Sequence, residues 1–236
     1  MSAIWRLSAF GAAVLLALTN PFCYAADNLD AQKWTTEFSV QPEEWASSGR
    51  NPYFSLEPGD VSTFEGDGER LVITVLAETC VVDGVETRVV EEREWEDGAL
   101  KEVSRNFYAL SKRTNSVYYF GEEVDIYRDG TIVNHQGAWL SGQDGAKFGL
   151  MMPGEPLIGA RHYQEIAPGK ALDRAEIVSV SETVKTPAGE FNHCLKVEET
   201  TPLEPGAKEY KYYAAGVGLL RDGALKLVEH KTAGTQ

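Results

Sequence analysis

The chain has 236 residues, 43% of them hydrophobic and 25% charged, a balance that fits one globular domain or two small ones and excludes a disordered or collagen-like protein. Its formal net charge of −14 excludes nucleic acid and anionic lipid surfaces as partners, because both are bound through Lys/Arg clusters that this sequence lacks.

Residues 1–25 read as a secretory signal peptide. Arg6 precedes a mostly apolar run over residues 9–18, followed by Asn20, Pro21 and Cys23-Tyr24-Ala25, with small residues at the two positions that direct cleavage after Ala25. The run is shorter than the ~20 apolar residues of a spanning helix and Pro21 interrupts it, so no integral span is expected after cleavage. Bulky Phe22, just before Cys23, argues against lipid attachment. Removal of the leader takes away Arg6 and no acid, leaving a charge of −15 on a periplasmic or secreted chain. Residues 26–50 form an N-terminal arm, in which residues 27–45 either hold a helical turn or two or are a mobile arm running up to Asn51-Pro52. Residues 51–231 form a single β domain, and residues 232–236 a tail.

Turn chemistry dominates that domain. Asp-Gly occurs at residues 67–68, 83–84, 97–98, 129–130, 144–145 and 222–223, mostly between β-branched or aromatic runs, and it accepts the positive φ angles of tight hairpins. The unit over residues 70–95 allows two registers. A two-residue loop at Asp83-Gly84 sets Leu71, Ile73 and Val81 beside Glu86, Arg88, Glu92 and Glu94. A three-residue loop pairs Val81 with Val85 instead and keeps the acids off the apolar face, and this register is expected. Further strands read over residues 100–110, 117–120, 124–128, 132–135, 160–166, 171–184, 190–199, 208–213 and 219–229, the last containing the turn at Asp222-Gly223. So many strands exceed what a flat open sheet tolerates. The expected fold is all-β: an antiparallel meander curled into a partial barrel or a sandwich, with a long Gly-rich loop.

That loop is residues 136–159, which carry six glycines together with Trp139, Phe148, Met151 and Met152. It reads either as a plug of one barrel end or as a ligand-facing lid. Of the three cysteines, Cys23 leaves with the leader, and Cys80 and Cys194 are the expected disulfide of an oxidising compartment, with two buried thiols as the alternative.

Three segments carry a resemblance: NPYFSLEPGD at residues 51–60, MPGEPLIG at 152–159 and KEYKYYAAGVGLL at 208–220. Together they resemble uncharacterised exported bacterial β proteins of the TapB-like kind, in which NPYFPLxPG opens and YYAPGVGLV closes a meander. Here Ser55, Ala215 and Leu220 stand where Pro, Pro and Val are expected. The resemblance spans roughly residues 51–229 and implies, at a distance, the half-barrel of periplasmic lipoprotein carriers with an apolar groove. It transfers no catalytic residue.

Enzyme signatures are scarce. There is no His-Glu-x-x-His, Cys-x-x-Cys, Gly-x-Ser-x-Gly or phosphate-binding loop, and Gly216-Val217-Gly218 lacks the third glycine of a dinucleotide site. His135 and His162 flank the loop that holds Met151 and Met152, a donor set that suits copper; packing of the methionines and hydrogen bonding of the histidines is the preferred reading. No cofactor, metal or catalytic residue is assigned, although carboxylates brought together from distant strands would leave no local motif. The candidate ligand-binding residues are Trp139, Phe148, Met151, Met152, Tyr210 and Tyr212, for an apolar, lipid-like or amphipathic ligand. The alternatives are a structural or interaction role in the cell envelope, and a hydrolase with a non-local carboxylate site. A cavity above roughly 300 Å³ would favour a carrier, and a filled interior a structural role.

Overall fold

The computed structural model describes residues 34–233, so the leader at residues 1–25 and the start of the arm at 26–33 lie outside the described residues. Thirteen main strands make up the fold: β1 (Val61–Gly66), β2 (Glu69–Val82), β3 (Val85–Glu96), β4 (Ala99–Ser111), β5 (Val117–Arg128), β6 (Lys147–Met152), β7 (Arg161–Tyr163), β8 (Glu165–Ile166), β9 (Arg174–Thr186), β10 (Gly189–Thr200), β11 (Glu209–Ala214), β12 (Gly218–Asp222) and β13 (Leu225–Lys231). They lie side by side in the order β7-β9-β10-β11-β12-β13-β1-β2-β3-β4-β5-β6-β8. The fold is the expected all-β antiparallel one, and it is a nearly closed barrel rather than a sandwich. One segment joins the two ends of the sheet: His162 in β7 pairs with Ala175 in β9, and Glu165 in β8 pairs with Phe148 in β6.

The Asp-Gly dipeptides explain the meander. At residues 67–68, 83–84, 97–98 and 129–130 the Asp sits at φ 49–52° and the Gly at 74–84°, the left-handed pair of a two-residue hairpin whose twist matches that of its strands. The expected three-residue loop at residue 84 is therefore corrected: Val82 pairs with Val85, and Val81 with Glu86. A bulge between Val75 and Thr79 then exchanges the faces of β2, so that Leu71 and Val75 are buried before it, Val82 is buried after it, and Val81 is 70% exposed. Glu94 and Glu92 stand opposite Leu71 and Ile73 on the inner side, where the sequence reading had excluded acids.

Two further expectations change. Residues 136–159 are not a loop throughout, because Trp139–Leu140 pairs with β5 and β6 is a full member of the sheet. Gly149 serves close approach rather than flexibility: a Cβ there would lie 2.4 Å from the Gln164 backbone across the barrel seam. The strands expected at 117–120 and 124–128 are one strand, bulged at Gly121, whose φ is +135° and whose added Cβ would lie 2.3 Å from the Trp139 carbonyl.

The barrel interior is built on Leu56, Val75, Val90, Tyr119, Trp139, Met152, Ile177, Leu195 and Val197. A second cluster packs outside β3–β6, where Phe107, Tyr118, Phe120 and Phe148 meet Phe38, Val40 and Trp45 of the arm. Trp45 stands edge-on to Tyr118, Phe120 and Phe148, with ring centroids 5.3–5.8 Å apart. Instead of an α-helical turn, the arm holds a short 3-10 turn at Pro42–Glu44 and a bridge from Thr35 to His162.

The expected Cys80–Cys194 disulfide is also corrected. Both are free thiols, with Cys80 against the outer aromatic cluster and Cys194 buried with Phe64, Leu71 and Leu220. Four strands separate β2 from β10, far beyond the ~7 Å between Cα atoms that a disulfide spans.

Maleimide labelling followed by peptide mapping should modify Cys80 in the folded protein and Cys194 only in denaturant; protection of both by a bond would contradict this placement. Gly121→Ala should destabilise the barrel by about 2 kcal/mol or more, read from urea unfolding, since the strained φ and the Trp139 carbonyl both oppose a side chain.

Candidate functional site

The three segments quoted for the resemblance meet at one end of the barrel. A small hairpin, Arg50–Asn51 with Phe54–Ser55, lies across that end. Asn51 Nδ2 donates to the carbonyls of Asn115 (2.8 Å) and Pro153 (3.0 Å), while its Oδ1 accepts from the backbone N–H of Tyr53 (2.8 Å). The Gly216 N–H donates to the Pro52 carbonyl at 2.8 Å. Ser55 Oγ donates to Asp60 at 2.6 Å, and Arg50 pairs with the same carboxylate at 2.9 Å. A short polar side chain such as Asn51 can satisfy two neighbouring loops and its own turn at once, which fixes the hairpin over the barrel end.

Beneath the hairpin lies a cavity of about 110 Å³. Tyr53, Phe54, Ile73, Val90 and Leu219 give it an apolar wall, Tyr108 and Tyr213 line it as well, and Met151 closes one side. The polar wall is Glu92 from β3, Lys211 from β11, Asp222 from β12, and Ser62 and His230 from β1 and β13. Inner-face alternation places these groups, since Lys211 and Tyr213 are two residues apart, as are Val90 and Glu92.

Lys211 Nζ lies 2.7 Å from Glu199 Oε2, and both side chains are 4% exposed. Burial alone would lower the lysine pKa, but the Glu199 and Asp222 carboxylates outweigh it and hold the ammonium well above its ordinary range. Gln164 Nε2 completes the group by donating to Glu199 Oε1 at 2.9 Å. Glu92 is different: burial pushes its carboxyl up to about 7, with Lys211 drawing it down and Asp222 and Glu102 pushing it further up. His230 bonds Ser62 Oγ through Nδ1 at 2.9 Å, its Nε2 meets no partner among the described residues, and burial lowers its pKa.

More acids fill the rest of the interior. Glu122 is fully buried, neither oxygen has a hydrogen-bond partner among the described residues, and burial raises its pKa well above the ordinary value. The neighbouring Tyr119 hydroxyl donates to Asn106 Oδ1 at 2.6 Å. Glu165 accepts from the Asp173 N–H at 3.0 Å; burial and the adjacent Asp173 carboxyl push it well up. Glu102 rises to about 7 by burial, and buried His162 falls to about 4.

The sequence-read ligand residues separate. Met151 lines the cavity and its sulfur lies 3.4 Å from Gln164 Nε2. Trp139 and Met152 are buried in the inner core, and Phe148 is in the outer cluster under Trp45. Tyr210 and Tyr212 flank the Lys196 ammonium, at 4.1 and 5.6 Å from their ring centroids, and neither lines the cavity. His135 is an exposed partner of Asp125 (2.8 Å), whereas His162 is buried. No group of three metal-ligating side chains occurs among the described residues. Sequence reasoning missed Glu92, Lys211, Asp222 and His230. The two-residue loop at 83–84 was the signal for Glu92, and the other face of the KEYKYYA strand was the signal for Lys211.

No family model matches the chain, and no curated protein matches it. A solved structure that overlaps it is a provisionally described lipoprotein from Parabacteroides distasonis, at 13% identity and a TM-score of 0.36, covering 78% of this chain and all of that one. An overlap that low carries no argument about function. Among the described residues, no helix is long and apolar enough to cross a membrane.

Glu92 makes stability depend on pH with a definite sign. Between about 4.5 and 7 the unfolded chain releases this proton while the folded one keeps it, so stability falls as pH rises through that window. Glu92→Gln should therefore raise the unfolding free energy at pH 8, by up to about 3 kcal/mol, and change little at pH 4. His162 acts oppositely, removing stability as pH falls from 6.5 toward about 4. Lys211→Met should cost about 3–5 kcal/mol in a urea titration at pH 7, because it leaves Glu199 buried without its cation.

Proposed function

We propose that this chain is an exported binding protein of the cell envelope, with residues 1–25 as its leader, whose barrel holds one small amphipathic molecule beneath the 50–55 hairpin. The observation that carries this reading is the two-sided lining of the cavity, apolar on Tyr53, Phe54, Ile73, Val90 and Leu219 and polar on Glu92, Lys211, Asp222 and His230. Few, convergent polar groups in an apolar concavity are the general form of a small-molecule site. At about 110 Å³ the space is well below the ~300 Å³ at which drug-sized sites begin, so a whole lipid chain does not fit. A compact ligand does, as does one end of a longer one that displaces the hairpin.

A second reading, hydrolysis by carboxylates from distant strands, draws on Glu92 and Asp222. A carboxyl near 7 in an enclosed site is what general acid–base catalysis requires. Turnover of a glycoside or ester panel that disappears in Glu92→Gln would establish it.

The binding reading is tested by native mass spectrometry on protein recovered from a periplasm. An extra mass that is lost on denaturation is expected, and Val90→Phe, which fills the cavity, should lose it while remaining folded by near-ultraviolet circular dichroism. A bare mass for the wild type would move the assignment to a structural or protein-binding role in the envelope.

A further inference from the structure

We infer that the cavity under the 50–55 hairpin accepts a small organic cation, a protonated amine on a compact apolar body, with Glu92 as its counter-ion. The inference rests on the binding reading above and adds the charge of the ligand.

Charge balance at the site leads there. Asp60 is neutralised by Arg50, at 2.9 Å, and Lys211 by Glu199, at 2.7 Å. An anion entering the cavity would meet a lysine whose charge is already taken by a buried carboxylate, with Asp222 adding further negative potential. Glu92 has no such arrangement. It is partly buried, it lines the cavity, and it makes no hydrogen bond or close ion pair with a described residue, Lys211 acting on it only through space. A carboxyl drawn into an apolar lining in this way is costly unless something supplies a donor or a positive charge. His230 Nε2 is a second unpartnered polar atom in the lining, on an imidazole whose pKa burial lowers. An ammonium carries several N–H donors, enough for Glu92 and, in the tautomer whose Nδ1 donates to Ser62 Oγ, for His230 Nε2 as well.

The rest of the wall suits an organic cation better than a metal ion. Tyr53, Phe54, Tyr108 and Tyr213 present aromatic rings, which attract cations through their faces and cover an alkyl body equally well. A hard metal ion would need six or more oxygens around it. The available volume limits the ligand to a few heavy atoms.

Isothermal titration with n-butylamine, 1-butanol and butyrate, three probes of one length and different charge, tests this on the purified protein at pH 8. The amine is expected to bind at least tenfold more tightly than the alcohol or the acid, and Glu92→Gln to weaken the amine at least tenfold. Because removal of the buried charge should stabilise the fold, that variant is expected to be folded. Between pH 8 and pH 6 the amine affinity should fall roughly tenfold as Glu92 takes up its proton, with Lys211, Asp222, Glu102, Tyr108, Tyr213 and His230 as the other titratable groups around it. Equal affinity for butanol or butyrate, or an unchanged Glu92→Gln, would overturn the cation assignment and leave the binding reading standing. No heat from any probe, together with a bare native mass, would overturn the binding reading itself.

Discussion

Closing the sheet removes the inner side of every strand from water, and closure depends on six residues. Residues 161–163 pair with β9 and residues 165–166 with β6, and the side chains of Gln164, between them, and of Glu165 are buried. Gln164 reaches Glu199, which holds Lys211; Glu165 takes the Asp173 N–H. The seam is thus fastened by backbone pairing at its edges and by buried side-chain polarity behind it. Polar groups shut inside a barrel must satisfy one another or lose their charge. The interior shows both outcomes, a lysine paired with a carboxylate and several acids pushed toward their neutral forms.

What was legible in the sequence was local. Four two-residue turns form where Asp-Gly stands between strands, because left-handed φ at both positions is a property of those two residues. The all-β antiparallel meander follows from them. What was not legible depended on distant partners. Gly149 looks like a flexible-loop residue until the Gln164 backbone is placed against it, and Gly121 looks like a break until the Trp139 carbonyl arrives. The bulge at residues 76–78 has no signature in VLAETCVV, yet it decides which side of β2 is buried. Glu92 consequently read as a solvent-facing acid, and the polar wall of the cavity went unseen. Pairing the cysteines failed for a related reason, since parity of number says nothing about strand order.

The arm accounts for another irregularity. Phe107–Ser111 and Val117–Glu122 are buried at every position rather than at alternate ones. A strand whose two faces both meet protein gives such a continuous run. Here the barrel interior covers one face, and Phe38, Val40 and Trp45 with their neighbours cover the other. Arg113 reaches back to Glu44 at 2.6 Å and holds the arm at the edge of that cluster. The segment before the barrel is therefore part of its packing, and the hairpin at residues 50–55 begins from a fixed base.

The acids inside the barrel also change how many charges the native protein displays. Burial holds Glu122 and Glu165 toward their protonated forms and pushes Glu92 and Glu102 up to about 7, so near neutral pH the folded chain displays less negative charge than its composition indicates. Those protons leave when the barrel opens and the carboxyls meet water. Unfolding then acidifies a weakly buffered solution, and the heat measured in a calorimeter includes that of protonating whichever buffer receives them.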